Sequence, residues 1–564
     1  MNPAQLLEHF DRISEAPDAV VHLRRFILDL AVRGKLVEQN PNDEPAAELL
    51  KRIQAKKDAR NIKEKSKPTK SDEKKTKAER ELTLPNGWTW VPLADLTAVL
   101  NGRAYSKNEL LEEGTPVLRV GNLFTSNHWY YSNLMLEDDK YCNHGDLLFA
   151  WSASFGPFIW PGPKVIYHYH IWKLSLHSEQ DLNKNYLHKF LLHKTQEIKD
   201  SGHGVSMIHM TKEKMEKVVV PLPPFAEQHR IVAKVEELMA LCDQLEAAKN
   251  EREARRDRLV AASLHRIDTA PAAADKAATA AQSATPLRDA ARFHLGHLPR
   301  LTTRPEHIKQ LRQTILNLAV RGRLVPQDPN NDEPAAELLK QISAITGQQA
   351  IVGGKVENLF TLPSGWEWSR VGLITTKTGS GSTPRGGKSA YQKAGVPFLR
   401  SQNVYNDGLR LNDVAYIDQD THTRMRGTAI EPGDLLLNIT GGSIGRCCLI
   451  PYRPIEANIS QHVAIIRPAV AGLRDFMHKV VLSPFFQSFV IDEQTGAGRG
   501  GLPKNRMDQI PVPIPPLAEQ HRIVAKVNEL MALCDQLEAQ LTAAQTDSRR
   551  LLETVLHESL AKVA

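Results

Sequence analysis

Residues 221–247 read PLPPFAEQHRIVAKVEELMALCDQLEA, and residues 513–539 read PIPPLAEQHRIVAKVNELMALCDQLEA, identical at 24 of 27 positions. Each opens on a Pro-Pro pair that ends a strand and suits the first turn of a helix. In the second copy Ile523, Val527, Leu530, Cys534, Leu537, Leu541, Ala544, Ser548, Leu551 and Val555 follow a strict 4-3 spacing, a coiled-coil seam of more than four heptads. In the first copy Ile231, Val235, Leu238, Cys242 and Leu245 hold the same seam, which Lys249, Arg252 and Arg256 interrupt before Leu259. A helix over 224–266 would be a rod of roughly 65 Å. Its apolar stripe needs a partner, and antiparallel pairing with the other copy is the expected one.

Working outward, the duplication extends over the chain. LDLAVRGKLVEQNPNDEPAAELLKRI (28–53) is matched by LNLAVRGRLVPQDPNNDEPAAELLKQI (316–342), and LTLPNGWTWVPL (82–93) by FTLPSGWEWSRVGL (360–373). The protein is two tandem units of about 290 residues. Their helical ends are nearly identical, whereas the middles, 94–220 and 374–512, agree only in patches such as HGDLLFA with PGDLLLN and YHYHIW with ISQHVA. A surface present twice can hold two copies of one partner; a middle that differs can read two different things. The middles are rich in Gly, Pro and aromatic residues with short apolar runs, the grammar of short strands and turns, each followed by a helix, around 183–200 and 473–491.

The expected fold is α+β: two mixed α/β domains separated by long helices that pair as an antiparallel coiled coil, in a pseudo-twofold tandem repeat. The segments are an N-terminal helical region (1–60), a basic linker (61–81), a first recognition domain (82–222), a long helix (223–267), an Ala-rich linker (268–299), a central helical region (300–345), a second recognition domain (359–514) and a second long helix (515–564).

Composition narrows the function. The 564 residues are 41% hydrophobic and 24% charged, with five cysteines and none in CxxC spacing. This is ordinary globular composition, with no apolar run to cross a membrane, no signal peptide, and no disulfide framework or zinc site; a reducing cytoplasm is expected. The net charge of +7 is concentrated in 51–80, where thirteen basic residues face five acidic ones.

Chemistry-bearing motifs are sparse. GSGSTPRGGKS ends like a phosphate-binding loop, but Ser382 occupies the place of the first required glycine. His168 and His170 are expected to alternate on a strand and point to opposite faces, and His170 matches His462. Trp88, Trp90, Trp366 and Trp368 are read as core aromatics. Cys447 and Cys448 are read as buried. No nucleophile–base pair, paired carboxylates, dinucleotide fingerprint or amino-methyltransferase tetrapeptide stands out, so the catalytic assignment is none. Candidate loops recur instead in matching places: NGRAYSK (101–107) with TGSGSTPRGGK (378–388), and SGHGVSMIHMTKEK (201–214) with TGAGRGGLPKNRMDQI (495–510). Glu227, His229 and Arg230 recur as Glu519, His521 and Arg522 and form a candidate subunit-binding face.

These features together resemble the specificity subunit of type I restriction-modification enzymes, over nearly the whole chain. The resemblance implies two target recognition domains that read the halves of a bipartite, asymmetric site in double-stranded DNA. It implies helices that dock two modification subunits, with restriction subunits joining that core. S-adenosylmethionine, ATP and Mg would be used by those partners to methylate adenine or cleave DNA, and none would be bound here. The donor-rich candidates for DNA contact are Arg103, Tyr105, Lys107, Arg119, Asn122, His203 and Lys212 in the first domain. In the second they are Thr383, Arg385, Lys388, Arg400, Gln402, Asn403, Arg499, Lys504 and Asn505; Arg suits guanine, and Asn or Gln adenine. The competing expectations are a self-sufficient methyltransferase or nuclease, and a coiled-coil scaffold with no nucleic-acid role.

Overall fold

The computed structural model describes residues 16, 18–64, 83–152, 155–201, 210–270, 285–350, 359–453, 455–492 and 501–562. Most of the basic linker, the Ala-rich stretch 271–284, and the candidates His203 and Arg499 lie outside them. The chain divides into two units, residues 1–251 with 545–564, and residues 252–544.

In the first unit, α1 (Ala19–Val32) stops at Gly34, whose φ of 67° favours glycine, and whose added Cβ would strike Pro85 and Trp88. After α2 (Ala46–Glu64) the strands are β1 (Thr89–Pro92), β2 (Thr97–Asn101), β3 (Thr115–Leu118), β4 (Tyr130–Ser132), β5 (Tyr141–Cys142), β6 (Leu147–Ala150), β7 (Gly156–Ile159), β8 (Val165–Tyr167) and β9 (Ile171–Leu176). Then come α3 (Lys184–Ser201), β10 (Val219–Leu222) and α4 (Phe225–Thr269). The short pair β1–β10 joins the LPNGW entry to the PLPP exit, placing Trp90 opposite Pro221. Between them lie two four-stranded sheets, β2-β9-β6-β7 and β4-β3-β8-β5.

The second unit repeats this plan. It has α5 (Thr285–Gly296), α6 (Pro305–Val320), α7 (Ala335–Thr346), β11 (Glu367–Arg370), β12 (Thr375–Ser380), β13 (Val396–Leu399), β14 (Val404–Tyr405), β15 (Gly408–Leu409), β16 (Ala415–Ile417), β17 (Leu435–Asn438), β18 (Cys447–Leu449), β19 (Asn458–Ile459) and β20 (Val463–Pro468). They are followed by α8 (Arg474–Leu482), α9 (Pro484–Asp492), β21 (Pro511–Ile514) and α10 (Leu517–Lys562). Its sheet β12-β20-β17-β18 corresponds to β2-β9-β6-β7, β16-β13-β19 to β4-β3-β8, and β11–β21 to β1–β10. The parallel strand pairing recurs too, β3 with β8 and β13 with β19. Two middles with little sequence in common thus share one topology, because only their inward apolar positions need agree.

The fold is α+β, with mixed domains and long helices of 45 and 46 residues carrying the coiled-coil seam. Within each unit the first half of that seam packs on the repeat's own conserved helices. Ile231, Val235 and Cys242 join one core with Val20 and Ile27 of α1; Ile523, Val527 and Cys534 join another with Ile308 and Ile315 of α6. Arg24 clamps Asp243 and Glu246, and Arg312 clamps Asp535 and Glu538 in the same way. The far ends find other neighbours. Val260, Leu264 and Ile267, on the stretch of α4 past residue 251 that itself belongs to the second unit, pack on Ala290, Leu301 and Leu318 of that unit, while Leu552 and Val555, on the stretch of α10 that belongs to the first unit, pack on Ala16 and Ala19 of that unit. There the buried stripe has moved by one residue: Leu259 is 46% exposed and Val260 is buried. A straight helix of 3.6 residues per turn drifts out of a 3.5-residue repeat in this way.

Two further expectations are corrected. The 268–299 stretch is not linker throughout, since α5 forms there and buries Ala290 and His294. The helix expected around 473–491 is two helices. Pro484 has no N–H to continue the first, and Ser483 closes it by donating its hydroxyl to the Val480 carbonyl at 2.6 Å. Trp88 and Trp366 are core aromatics as expected, and all five cysteines are free and buried. Among the described residues no helix is long and apolar enough to cross a membrane.

Candidate nucleic-acid interface

The recurring EQHR sequence does local structural work first. Glu227 is 1% exposed and accepts the Trp88 indole N–H at 3.0 Å and a Gln39 amide N–H at 2.6 Å. Glu519, also 1% exposed, accepts from Trp366 at 2.9 Å and from Gln327 at 3.4 Å. Arg230 pairs with Asp43 at 2.7 Å, and Arg522 with Asp332 at 2.6 Å. Burial pushes both glutamates above the ordinary carboxylate range, although the indole and amide bonds oppose it. The expected subunit-binding face is therefore corrected at Glu227 and Glu519, whose carboxylates are buried; Arg230 and Arg522 are engaged by buried aspartates. Only His229 and His521 of that set are exposed. Twelve residues further along the same helices, Leu241 and Leu533 are 52% and 48% exposed, an apolar pair that lies off the heptad seam.

The candidate reading edges form at equivalent places in the two units. In the first, Tyr167 ends β8 and His168, Tyr169 and His170 make a turn into β9, closed by the Ile171 N–H donating to the His168 carbonyl at 2.9 Å. The two histidines are not on alternate faces of a strand, as expected; their rings lie 4.8 Å apart in the turn. Burial and the neighbouring His170 and Arg119 hold His168 down to about 4. Trp151 packs against this turn, donating its indole N–H to the Tyr169 carbonyl at 2.9 Å. The 101–107 loop supports it from the other side. The Tyr169 N–H donates to the Arg103 carbonyl at 3.0 Å, and a Cβ on Gly102 would lie 2.4 Å from the His168 oxygen.

The second unit builds the same turn from other residues. Ser460, Gln461 and His462 link β19 to β20, closed by the Val463 N–H to the Ser460 carbonyl at 3.0 Å. The Ser460 N–H donates to Leu399, as the His168 N–H does to Leu118, both at 2.9 Å. A Cβ on Gly381 would lie 1.9 Å from the Ile459 oxygen, making Gly381 the counterpart of Gly102. Gly102 and Gly381, one in each candidate loop, are thus required by close backbone approach. Thr383 donates its hydroxyl to Gln461 Oε1 at 2.8 Å, and His462 bonds Thr440 at 2.6 Å. Leu502, at the start of the segment carrying Lys504 and Asn505, donates its N–H to the Ile439 carbonyl at 2.9 Å beside Thr440.

The candidate side chains sort accordingly. Lys107, Lys212, Arg385, Lys388, Lys504 and Asn505 are exposed; Lys504 pairs with Asp508 at 2.5 Å, and Lys212 lies 3.6 Å from Glu216. Arg103 is committed to Glu109 at 2.7 Å, which with two bonds from Ser106 holds that carboxyl down to about 2. The half-buried Tyr105 lies under the Arg103 guanidinium at 5.3 Å. Arg119 is exposed above the Tyr130 ring. Asn122 and Asn403 correct the expectation of adenine readers: each staples its own turn. Asn122 accepts the Arg119 N–H and donates to the His128 carbonyl; buried Asn403 accepts the Arg400 N–H and donates to the Arg410 carbonyl. Arg400 and Gln402 both donate to Asp413. Tyr169, His170 and Gln461 were not selected from sequence, where the only signal was the alignment of YHYHIW with ISQHVA.

A topology built twice on one helical clamp, with unlike side chains on the same turn, defines a duplicated recognition protein. The model of the type I restriction modification DNA specificity domain matches residues 85–252 and again 363–544. The chain belongs to that family, and its role is that of a specificity subunit with two target recognition domains, recognition rather than catalysis. It is 29% identical over 560 residues to the type I restriction enzyme EcoAI specificity subunit of Escherichia coli, covering 93% of this chain and 91% of that one. It is 28% identical over 583 residues to the EcoEI specificity subunit of Escherichia coli, covering 95% and 93%. A solved chain from a type I R-M system is similar at 19% identity and TM-score 0.48, over 84% of this chain and 98% of that one.

Proposed function

We propose that this chain directs a type I restriction-modification complex to a bipartite, asymmetric DNA site, with residues 82–222 reading one half and residues 359–514 the other. The observation that carries this reading is the pair of equivalent turns, His168-Tyr169-His170 and Ser460-Gln461-His462, held by the same backbone bonds and differing in every side chain but the last. Exposed Lys107, Arg119, Lys212, Arg385, Lys388, Lys504 and Asn505 would supply phosphate contacts, which position the protein without reading bases.

The chain performs no chemistry of its own in this reading. Two modification subunits dock on the duplicated helices and methylate adenine with S-adenosylmethionine; restriction subunits add ATP- and Mg-dependent cleavage. The docking face is carried by recurring exposed side chains of these helices, Leu241 and Leu533, with His229 and His521 twelve residues nearer the helix start. The complex works in the cytoplasm, where five buried thiols stay reduced.

The test is methylation sequencing of a host that carries this chain with its modification subunits. A two-part motif is expected, and exchanging residues 359–514 for those of a relative should change one part alone. A motif that shifts in both parts, or in neither, would overturn the division of labour.

A further inference from the structure

We infer that Gln461 is the base-reading residue of the second recognition domain, and that it selects an adenine through its side-chain amide, oriented by Thr383. This rests on the reading of residues 359–514 as a DNA-recognition domain.

Gln461 is exposed at the apex of a turn held from several sides. Ser460 is tied to Leu399, Val463 closes the turn on Ser460, the Gly381 N–H donates to the Val463 carbonyl at 2.9 Å, and the Ile439 N–H donates to the His462 carbonyl at 3.0 Å. A reader on such a turn loses little conformational freedom on binding. Its amide is also oriented. The Thr383 hydroxyl donates to Oε1 at 2.8 Å and leaves that oxygen one lone pair, while Nε2 lies 3.4 Å from His462 Nε2 and keeps a second N–H for a base. One free acceptor lone pair beside an NH2 donor is the complement of adenine N6–H and N7 in the major groove. A guanine edge presents two acceptors at the same places and leaves the glutamine oxygen without a donor.

Two other amide candidates of this domain, Asn403 and Gln402, lack this freedom. Asn403 is buried and bonded on both amide atoms, and Gln402 donates to Asp413. In the first unit the equivalent apex is Tyr169, which has no amide. The same position therefore reads a different base there, and one turn accounts for part of the asymmetry between half-targets. Thr383 is a positioning residue that acts through Gln461.

The experiment uses the full complex of this chain with its modification subunits, on duplexes carrying the motif found by methylation sequencing. Each adenine of the second half is replaced in turn by 7-deazaadenine, which lacks the N7 acceptor. The wild-type complex should lose about tenfold in affinity at one adenine, and Gln461→Ala should be indifferent to the replacement there. Thr383→Val should retain part of the discrimination at that position and none of the effect elsewhere. Gln461→Ala should also admit other bases at that position in the methylated motif, leaving the first half unchanged. Uniform weakening on all duplexes, an unaltered motif, or sensitivity to 7-deazaadenine that persists in Gln461→Ala would each overturn the inference. A wild-type complex with no two-part motif would instead overturn the parent reading. Thermal melting of the variants separates misfolding from lost reading, because Gln461 is exposed and lies outside the hydrophobic core.

Discussion

The Trp88 indole N–H donates to a buried Glu227 carboxylate at 3.0 Å, joining the LPNGW entry of the first recognition domain to the first turn of the long helix. Trp366 and Glu519 form the same bond at 2.9 Å in the second unit. The near-identity of the repeats is concentrated in residues that build this clamp: the glycine after the conserved helix, Gln39 or Gln327, the tryptophan, and the glutamate. The part of the chain that must be the same twice is thus in the first place a mounting bracket for the parts that differ.

Removing the acceptor tests the clamp. Glu227→Ala strands the Trp88 indole donor in a buried site, and should lower the stability of the first unit by about 1–3 kcal/mol. Glu519→Ala should do the same to the second unit. Denaturant melts followed by tryptophan fluorescence check both; a loss near zero would mean that water satisfies the donors.

The reading turns depend on glycine beneath them. Gly381→Ala places a methyl against a backbone carbonyl that has no room to yield, and should displace the 460–462 turn. Methylation or binding specificity at the second half-target should relax while the first half is kept, and Gly102→Ala should give the mirror result. Motif sequencing of the two variants reads the outcome directly.

Docking is tested at the exposed leucines. Leu241→Asp leaves the core untouched, yet should weaken attachment of one modification subunit by about tenfold, the equivalent of about 1.4 kcal/mol. The double variant with Leu533→Asp should weaken both. Native mass spectrometry should show complexes of one modification subunit with the single variant, and full occupancy would place the docking face elsewhere.

Acid should act on the first unit through Asp181. Burial raises this carboxyl, but the Ser178 hydroxyl at 2.7 Å, Arg52 at 2.7 Å and Lys56 at 3.1 Å outweigh it and hold it at about 2. Because the folded value is depressed, the contribution is present above the unfolded value near 3.8 and is lost as pH falls through about 2. Stability should therefore drop across this window, by something on the order of 1 kcal/mol once solvent screening at half-exposed Arg52 and Lys56 is allowed for. Asp181→Asn should flatten that part of the pH profile in a series of thermal melts.

Much of this protein is legible without coordinates. Duplication, the two long helices, the strand-rich middles and the helix stops at Gly34 and Gly322 follow from periodicity and backbone chemistry, which are local along the chain. The loops 101–107 and 378–388 were found because they recur, and each supplies the glycine under a reading turn. What tertiary structure alone decided concerns which side chains face each other. Recurrence could not distinguish the buried Glu227 from the exposed His229 two residues on, because a repeated core contact and a repeated docking contact leave the same trace in sequence. An asparagine on a Gly-flanked loop looks like a base reader until its amide is found stapling its own turn, as at Asn122 and Asn403. The break in the α4 seam at Lys249, Arg252 and Arg256 did not tell which residues Val260 meets beyond it, nor did YHYHIW record its bend at His168. These depend on contacts between residues tens to hundreds of positions apart, and local propensity has no information about them.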